Sequence, residues 1–583
     1  MTRFAPYAIL ALEVLVFYRH SLFGDRHIPW DLGAYHLPLA HLYSQALEGG
    51  ELPLWDPYTY CGRPVQANIQ AQVFYPPRFL LAALSPREWL FDGLEWTVAL
   101  HVLVAGIFAF RLARSIGLGV AAALLVATMF QLGGFFAAHA EHLGAVCAAA
   151  WIPLALECVE RRWDLRLAVA LSLVVLAGFT PMTVIGWGTV ALYAGLTRRA
   201  PVRPFLLAVG LCAVQLVPTW ELVGLSVAKY RSDWLGDGGG VPLGVLKTLA
   251  WPSLASRDQS LDVTFQYLYC GLAAVPLAVW GARRYRPMAL MAVSGVAMLG
   301  WLQRLLPEMI SRSYYPEYAA AVFTLMLALL AGFGVQRLGS PWQWMIAAAT
   351  AIDLLLVSSG LPMHAMPGPR DQPDPAIVAR LRELTGAATP PSRIDTRQDG
   401  LRWVQSAPVT GIPTAGGYDP MALDSMMTVR RQFAKGERWG AYYEVERADS
   451  PVVAGLNVAY LVAGPNIEPV ANVRPRFHIE GGSVRVVRYG LREVVLEADS
   501  PTSARLKSSE VHYPGWRAWV DGAEVSIALV DGAFRGHDVP AGRHAVRWRF
   551  EPRILYWSAA ASGLSAVVCL VIAWRRWHLR ADS

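Results

Sequence analysis

The sequence predicts a polytopic α-helical membrane protein of about twelve transmembrane helices, with a large extracytoplasmic region before the final helix. Hydrophobic residues make up 54% of the chain and charged residues only 16%, whereas soluble proteins average about 25% charged residues. Long apolar runs recur through residues 1–359 and again at 554–574, and the mean hydropathy is +0.34. The polar segment 360–553 is long enough for a soluble domain.

Twelve apolar runs are the predicted membrane helices. Several are shorter than the ~20 residues that a perpendicular span requires. The first run has a weakly positive start and no small-residue cleavage site, which indicates a retained helix rather than a signal peptide. The predicted helices cover residues 6–22, 93–110, 117–136, 143–158, 166–179, 181–197, 204–222, 266–281, 287–302, 316–335, 342–358 and 554–574.

The distribution of arginine predicts the orientation of these helices. Cytoplasmic loops of membrane proteins are enriched in Lys and Arg. If the N-terminus is cytoplasmic, the predicted inner loops carry clusters of arginine, while the short outer loops at 137–142 and 179–181 carry none. The sequence therefore predicts cytoplasmic N- and C-termini and an extracytoplasmic segment 360–553.

The chain divides into four predicted parts. The stretch after residue 360 mixes the helical pattern of 375–384 with short strands, and the stretch after 481 alternates apolar and polar residues between turn pairs such as Asp521-Gly522. The second pattern is typical of an antiparallel β-sandwich. The predicted parts are a transmembrane domain at 1–359 with outer loops 23–92 and 223–265, an extracytoplasmic mixed α/β region at 360–480, an extracytoplasmic β-sandwich at 481–553, and a final membrane helix with a cytoplasmic tail at 554–583.

The segment HIPWDLGAYHLPL, residues 27–39, places an acid just beyond the first apolar run. From Asp31 onward, apolar residues recur at helical spacing until Gly49-Gly50, which predicts an amphipathic helix on the outer membrane face. Asp31 occupies the N-cap position of this helix, where aspartate is common. The residues alone leave two interpretations open, a structural cap and a chemical role for the carboxylate.

The outer loop that follows is rich in aromatic and amide side chains, which suit a sugar ring. Within it, FYPPRFLLAAL at 74–84 is too short to span a bilayer and contains a Pro-Pro pair, which indicates a surface or re-entrant segment. A polar, aromatic loop against the bilayer suits a ligand with one end in lipid and one in water. The candidate ligand-binding residues here are Tyr35, His36, Trp55, Asp56, Arg63 and Gln70.

Several motifs together resemble the bacterial YfhO membrane protein family over nearly the whole chain. They are D-x3-Y-x2-P-x-A, L-x-G-G-x-L-P-L-W-D-P and C-G-x-P within 31–64, AVQLVPTWELVGLS at 213–226, SRSYYPEYAAAVFTLMLALLAGFG at 311–334, LNVAYLVAG at 456–464, and YPGWRAWVDG at 513–522. That family is similar to glycosyltransferases of the GT-C fold, which use a polyprenyl-phosphate-linked sugar and typically supply an acid from the first outer loop. The resemblance implies a GT-C-like fold in the bacterial inner membrane, with Asp31 as the catalytic base.

The resemblance also implies a reaction and its partners. It implies an inverting sugar transfer from a polyprenyl-phosphate donor to an envelope polymer or glycolipid, with a donor synthase and a flippase acting upstream. Two alternatives stay open, a transporter or flippase of lipid-linked sugars and a non-catalytic scaffold for envelope assembly. Membrane lipid is an expected partner, whereas nucleic acid is not, because no basic stripe is interleaved with aromatic residues.

Transfer from a phosphosugar requires groups that stabilise the leaving phosphate. Arg63 and Arg312 are the candidate cations, with Tyr314 beside the latter. The sequence HAEH supplies His139, Glu141 and His142 in the second outer loop, and the two histidines are spaced to share a helical face. A divalent metal, a second acid and substrate hydrogen bonding remain alternative roles for these three residues, so no cofactor is assigned.

Overall fold

The chain is a multi-pass membrane protein with a sheet-rich C-terminal region. The computed structural model describes residues 4–230, 239–252, 262–302, 305–307, 315–368, 370, 372–398, 400–403, 405–436 and 444–581. Within these ranges six helices are long and apolar enough to cross a membrane, or seven if one bent pair counts as a single span. The predicted count of twelve is therefore not reproduced by length and composition.

Neighbouring helices of the membrane region pack directly against one another. The helix Leu90–Ser115 packs against Val120–Leu132 and Leu143–Arg161, and Ala320–Val335 packs against Ala274–Gly281. Helices of eight or more residues span Ala5–Phe17, Leu37–Glu48, Pro76–Leu84, Leu90–Ser115, Val120–Leu132, Leu143–Arg161, Asp164–Leu176, Thr180–Leu196, Val202–Leu211, Ala213–Leu225, Ala274–Gly281, Tyr285–Met298, Ala320–Val335, Ser340–Val357, Pro375–Thr385 and Arg553–Ala581.

The predicted single helix at 204–222 is wrong, because the chain bends by 71° between Val202–Leu211 and Ala213–Leu225. Pro218 has no N–H to continue the ladder of the second helix. The hydroxyl of Ser562, on the final helix, accepts a hydrogen bond from the Val214 N–H at 2.9 Å and donates one to the Gly210 carbonyl at 3.1 Å. The final helix thus satisfies backbone groups that the bend leaves free.

The predicted helix at 266–281 is also shorter than expected, since only Ala274–Gly281 is helical. The segment before it is held by a side chain of another helix instead. The Asp353 carboxylate accepts hydrogen bonds from the Leu272 N–H at 2.9 Å and from the Tyr269 hydroxyl at 2.7 Å. A Cβ on Gly281 would lie 1.9 Å from the Leu330 carbonyl oxygen. This glycine therefore permits backbone contact with the neighbouring helix.

The region after residue 360 contains a small mixed sheet and a β-sandwich. The small sheet pairs Arg393–Gln398 with Val458–Ala463 in parallel and the latter with Asn466–Pro469 in antiparallel fashion. The sandwich has a four-stranded sheet in the order Phe477–Ile479, Ala504–Val511, Phe534–Val539 and Ala528–Val530, and a five-stranded sheet in the order Ser483–Tyr489, Glu493–Ser500, Gly542–Phe550, Trp516–Val520 and Ala523–Val525. Its first strand precedes the predicted boundary at 481.

Backbone hydrogen bonds join residues 23–92, the predicted first outer loop, to the region after residue 360, which is predicted to be extracytoplasmic and is called the outer region below. Arg26–His27 pairs with Met366–Pro367, and the Thr414 N–H donates to the Tyr58 carbonyl at 2.7 Å. The Val511 N–H of the sandwich donates to the Cys61 carbonyl at 3.0 Å. These contacts fix the outer region directly above the loop that carries Asp31.

Candidate functional site

A cavity of about 370 Å³ lies where the first outer loop, the ends of the membrane helices and the outer region meet. Asp31 lines it together with residues from both parts of the chain. Its walls are Asp31, Tyr35, His36, Gln70, His142, Gly144, Gly178, Phe179, Pro181, Asp262, Phe265, Tyr315, Tyr318, Tyr418 and Pro420. Four residues predicted from sequence to lie in a first-loop site, Asp31, Tyr35, His36 and Gln70, are therefore brought together.

Asp31 stands at the start of a π-helical turn, Leu32–His36, that runs into Leu37–Glu48. It occupies the predicted N-cap position, but its side chain makes no capping hydrogen bond, so the interpretation as a structural cap is wrong. The preceding residue, Trp30, has a φ of 55°, in a region that bulky residues rarely adopt. This sharp turn lies directly before Asp31, which lines the cavity.

Two further acids and a histidine converge around Asp31. The Glu141 carboxylate accepts a hydrogen bond from the Asp31 N–H at 3.4 Å, and its other oxygen lies 4.0 Å from Nδ1 of His142. Ligand atoms of Glu141, His142 and Asp262 all lie within 4.8 Å of one another, the single grouping of this kind within the described ranges. Asp262 was not predicted, because nothing in the sequence near it indicates a site.

Burial and like charge both act on these acids. Burial, followed by the neighbouring carboxylates of Asp31 and Asp262, raises the pKa of Glu141 to about 9. Burial also raises the pKa of Asp31, while the imidazole of His142 opposes this shift. Burial and like charge thus disfavour the ionised forms of Asp31 and Glu141, and a bound cation would favour them.

Two of the three HAEH residues reach the acid cluster. The segment turns between the helices Gly134–Ala138 and Leu143–Arg161, so the predicted shared helical face of the histidines is wrong. His139 stacks on Phe135 at 4.3 Å between ring centroids, and its Nδ1 bonds to the Phe135 carbonyl at 3.0 Å. His139 is therefore held behind the cavity wall.

Trp55 lies outside the cavity, contrary to its predicted place in a sugar site. It is fully buried between the first outer loop and the sandwich, with its ring 5.2 Å from that of Trp516 and 5.0 Å from that of Phe550. Gly62 has a φ of 113°, and a Cβ there would lie 2.6 Å from the Trp55 ring. The motifs around Trp55 and Gly62 therefore build an interdomain core.

Arg63 and Asp56 also hold the outer region in place. The Arg63 guanidinium donates to Asp56 at 3.0 Å, to Asp419 at 2.8 Å and to Gln405 at 2.9 Å. All three of its nitrogens are thus occupied, and only 5% of the residue is exposed. Arg63 is not available to a phosphate, so its predicted role is corrected to a link between the two parts of the chain.

The hydrogen-bond network around Arg63 extends to the cavity through Tyr35. The Asp419 carboxylate accepts a hydrogen bond from the Asn68 side chain at 3.0 Å, and the same amide donates to the Tyr35 hydroxyl at 3.1 Å. Tyr418, next to Asp419, lines the cavity. The negative charge of Asp31, and in second place burial, raises the pKa of the Tyr418 hydroxyl. The outer region therefore supplies part of the site, which the sequence did not predict.

Arg78 is a cation of the first outer loop that forms no ion pair with any residue that the structure describes. The residue is 1% exposed, and its guanidinium donates to the His36 carbonyl and lies over the Tyr43 ring. Its Nε and Nη1 have no hydrogen-bond partner within the described part of the chain, and burial lowers its pKa. The other predicted phosphate ligand, Arg312, and its neighbour Tyr314 lie outside the described residues.

The aromatic wall of the cavity is a further feature that sequence analysis missed. Tyr318 packs against Phe179 at 4.6 Å and against Phe265 at 5.1 Å between ring centroids. Tyr315 lies beside it at 6.3 Å. These rings come from three separate segments, so no local pattern could have grouped them. Together they give one side of the cavity the flat apolar surface that sugar rings and isoprenoid chains can pack against.

Comparison with known proteins identifies a shared fold. A scan against protein-family models and a search of curated proteins each find no match. The arabinofuranosyltransferase AftD from Mycobacteria aligns over 94% of this chain and 40% of its own, with 15% identity and a TM-score of 0.50. The apo oligosaccharyltransferase of Archaeoglobus fulgidus aligns over 79% of this chain and 69% of its own, with 13% identity and a TM-score of 0.46. The likeness to the arabinofuranosyltransferase supports the predicted GT-C-like fold.

Proposed function

We propose that the protein is a bacterial membrane glycosyltransferase. It moves a sugar from a polyprenyl-phosphate donor to an envelope polymer or glycolipid on the outer face of the cytoplasmic membrane, downstream of a donor synthase and a flippase. The observation that carries the proposal is the convergence of Asp31, Glu141 and Asp262 at an aromatic-walled cavity beside apolar helices. The likeness of its motifs to the YfhO family is a second support.

Asp31 is proposed as the general base. Its carboxylate takes the proton of the acceptor hydroxyl while that oxygen bonds to the anomeric carbon and the bond from this carbon to the donor phosphate oxygen breaks. Attack opposite the leaving phosphate inverts the anomeric centre, and polyprenyl phosphate departs with the electron pair. Burial raises the basicity of Asp31 above that of an exposed carboxylate.

The acid cluster also fits a divalent cation. Ligand atoms of Glu141, His142 and Asp262 lie within 4.8 Å of one another, and Nδ1 of His142 is buried without a hydrogen-bond partner in the described chain. These three side chains would hold such a cation, because carboxylate oxygen and imidazole nitrogen are common ligands of divalent ions. Such an ion supplies positive charge that neutralises a leaving phosphate.

Arg78 is proposed as the phosphate ligand contributed by the protein itself. A buried guanidinium without a counter-ion is costly, and a donor phosphate would supply both the missing charge and the missing acceptors. The exposed apolar side chains of the same helix, Phe79, Leu80 and Leu84, face away from the protein and suit contact with lipid. Tyr35, Gln70 and Tyr418 remain as the polar groups that would orient the sugar.

The test is an assay of the purified full-length protein with synthetic polyprenyl-phosphate sugars and envelope acceptor extracts, comparing wild type with Asp31→Asn. General-base removal is expected to lower the rate by about 10²–10⁴-fold. The matched control is Asp25→Asn, an exposed acid six positions earlier in the same loop, which should keep full activity.

The result also separates the alternatives. A flippase would move the donor across vesicles without consuming it, and a scaffold would do neither. An Asp31→Asn variant that folds and transfers sugar at the wild-type rate would overturn the assignment of the base.

A further inference from the structure

A second cavity, of about 340 Å³, lies among the helix ends remote from Asp31. Its walls are mainly apolar and include Leu112, Leu156, Met326, Leu329 and Phe333. Most of them belong to helices that cross the apolar region, close to the residues at which those helices end. The cavity therefore lies at the depth where lipid chains meet the membrane surface.

Two helices line both cavities and fix their separation. Leu143–Arg161 gives Gly144 to the cavity of Asp31 and Leu156 to this one, while Thr180–Leu196 gives Pro181 to the former and Tyr193 to the latter. Twelve residues of helix correspond to roughly 18 Å. The second cavity is thus distinct from the candidate active site.

The rim of this cavity is positively charged. Arg286 lies 3.1 Å from the Glu160 carboxylate, which also accepts a 2.5 Å hydrogen bond from the Tyr193 hydroxyl. Arg284 lies over the Phe333 ring at 4.6 Å, and no carboxylate in the described ranges is within ion-pair distance of it. No acid is among the lining residues, and because Arg286 is paired with Glu160, the guanidinium that would meet an anion is that of Arg284.

We propose that this cavity binds a phospholipid with an anionic head group. The phosphate would contact Arg284 at the rim, and an acyl chain would lie against the apolar wall formed by Leu112, Leu156 and Leu329. Basic pockets between transmembrane helices are a recurring means of binding anionic head groups. Charge complementarity favours this occupant over a zwitterionic lipid, and the apolar wall favours a lipid over free phosphate.

The alternative role for these arginines is to orient the helices by the positive-inside rule alone. Arg283 is exposed, adjoins Arg284 in sequence and does not line the cavity. It is therefore the matched control, because it carries the same charge in the same turn, between Ala274–Gly281 and Tyr285–Met298, without lining the cavity. Ile116, a half-buried lining residue, allows the apolar part to be filled by Ile116→Trp.

The experiment uses the full-length protein in detergent micelles doped with dioleoyl phosphatidylglycerol, dioleoyl phosphatidylcholine or inorganic phosphate. Retained lipid is counted by native mass spectrometry, and the melting temperature is measured in parallel. We expect phosphatidylglycerol to be retained, and its affinity to fall about tenfold in Arg284→Gln, which loses one charge-assisted contact. Ile116→Trp should also weaken binding, because the larger side chain fills the space for the acyl chain. Arg283→Gln should bind as wild type does.

Three results would overturn the proposal. Equal retention of phosphatidylcholine would mean that charge is not recognised. A rise in melting temperature with inorganic phosphate equal to that with phosphatidylglycerol would mean that the acyl chain of the lipid is not recognised. Equal loss of binding in Arg283→Gln and Arg284→Gln would show that the lipid responds to general surface charge rather than to the cavity. The melting temperatures in phosphatidylcholine alone show whether each variant is folded.

Discussion

Two clusters of buried charge lie close together in this protein and are built in opposite ways. At the junction between the first outer loop and the outer region, Arg63 joins Asp56 and Asp419, and every nitrogen of its guanidinium is hydrogen-bonded. At the cavity, Asp31 and Glu141 carry like charges when both are ionised, and the Glu141 carboxylate accepts a hydrogen bond from the Asp31 N–H. The first cluster cancels its own charge, while the second leaves charge for something else to balance.

This contrast assigns roles to the two clusters. Buried ion pairs are strongly destabilised when one partner is removed, because the other is left as an uncompensated charge. Like charges held together, by contrast, destabilise the empty protein and are typical of functional sites. We therefore expect substitutions at the junction to change stability first, and substitutions at the cavity to change activity first.

The largest expected effect is on stability, from Arg63→Met. The substitution leaves Asp56 and Asp419 buried without a counter-ion, which should lower the free energy of unfolding by about 3–5 kcal/mol. Chemical denaturation monitored by tryptophan fluorescence measures this change. Wild-type stability in this variant would show that the junction does not depend on the ion pairs.

Glu141→Gln should have the next largest effect, and on activity. Removing one of the crowded carboxylates should leave the melting temperature unchanged or higher, while the transfer rate falls by about 10²-fold as cation binding weakens. Chelation of divalent metal by EDTA should produce a similar loss in wild type. Full activity in EDTA would show that sugar transfer needs no divalent cation, whatever the transfer rate of Glu141→Gln.

Arg78→Met should change stability and donor binding in opposite directions. The empty protein loses an uncompensated buried charge and should melt at a higher temperature. The KM for the polyprenyl-phosphate donor should rise by about tenfold, because a charge-assisted contact is lost. If the variant melted lower and kept the wild-type KM, Arg78 would be a structural residue.

The smallest effect is expected at an exposed pair of the sandwich. Arg505 and Asp538 lie 2.7 Å apart, but their side chains are 47% and 65% exposed. Solvent screens such pairs, so Arg505→Gln should leave the melting temperature and the transfer rate unchanged. A clear loss of stability would show that distance alone, rather than burial, sets the strength of the pairs in this protein.

The sequence was informative where its patterns are local. Alternation of apolar and polar residues predicted the strands of the sandwich, and the helical spacing after Asp31 predicted Leu37–Glu48, which ends next to Gly49. The bend between Val202–Leu211 and Ala213–Leu225 was not predictable, because the Ser562 hydroxyl that supports it lies some 350 positions away in the chain.

The site shows the same division between local and distant information. Asp31, Tyr35, His36 and Gln70 are close in sequence and were grouped correctly in one cavity. Asp262 and Tyr418 reach it from remote segments, and only the fold brings them there. Trp55 and Arg63 were misassigned because aromatic and basic residues suit a sugar phosphate and an interdomain contact equally well until their neighbours are known.

The central claim is that the cavity cluster acts chemically while the junction cluster holds the structure. It is tested most directly by measuring the melting temperature and the rate of sugar transfer for Asp31→Asn and Arg63→Met in one set of preparations. The account predicts that Asp31→Asn loses transfer and keeps or raises its melting temperature, while Arg63→Met melts lower. An Asp31→Asn protein that transfers sugar normally but melts as low as Arg63→Met would contradict it.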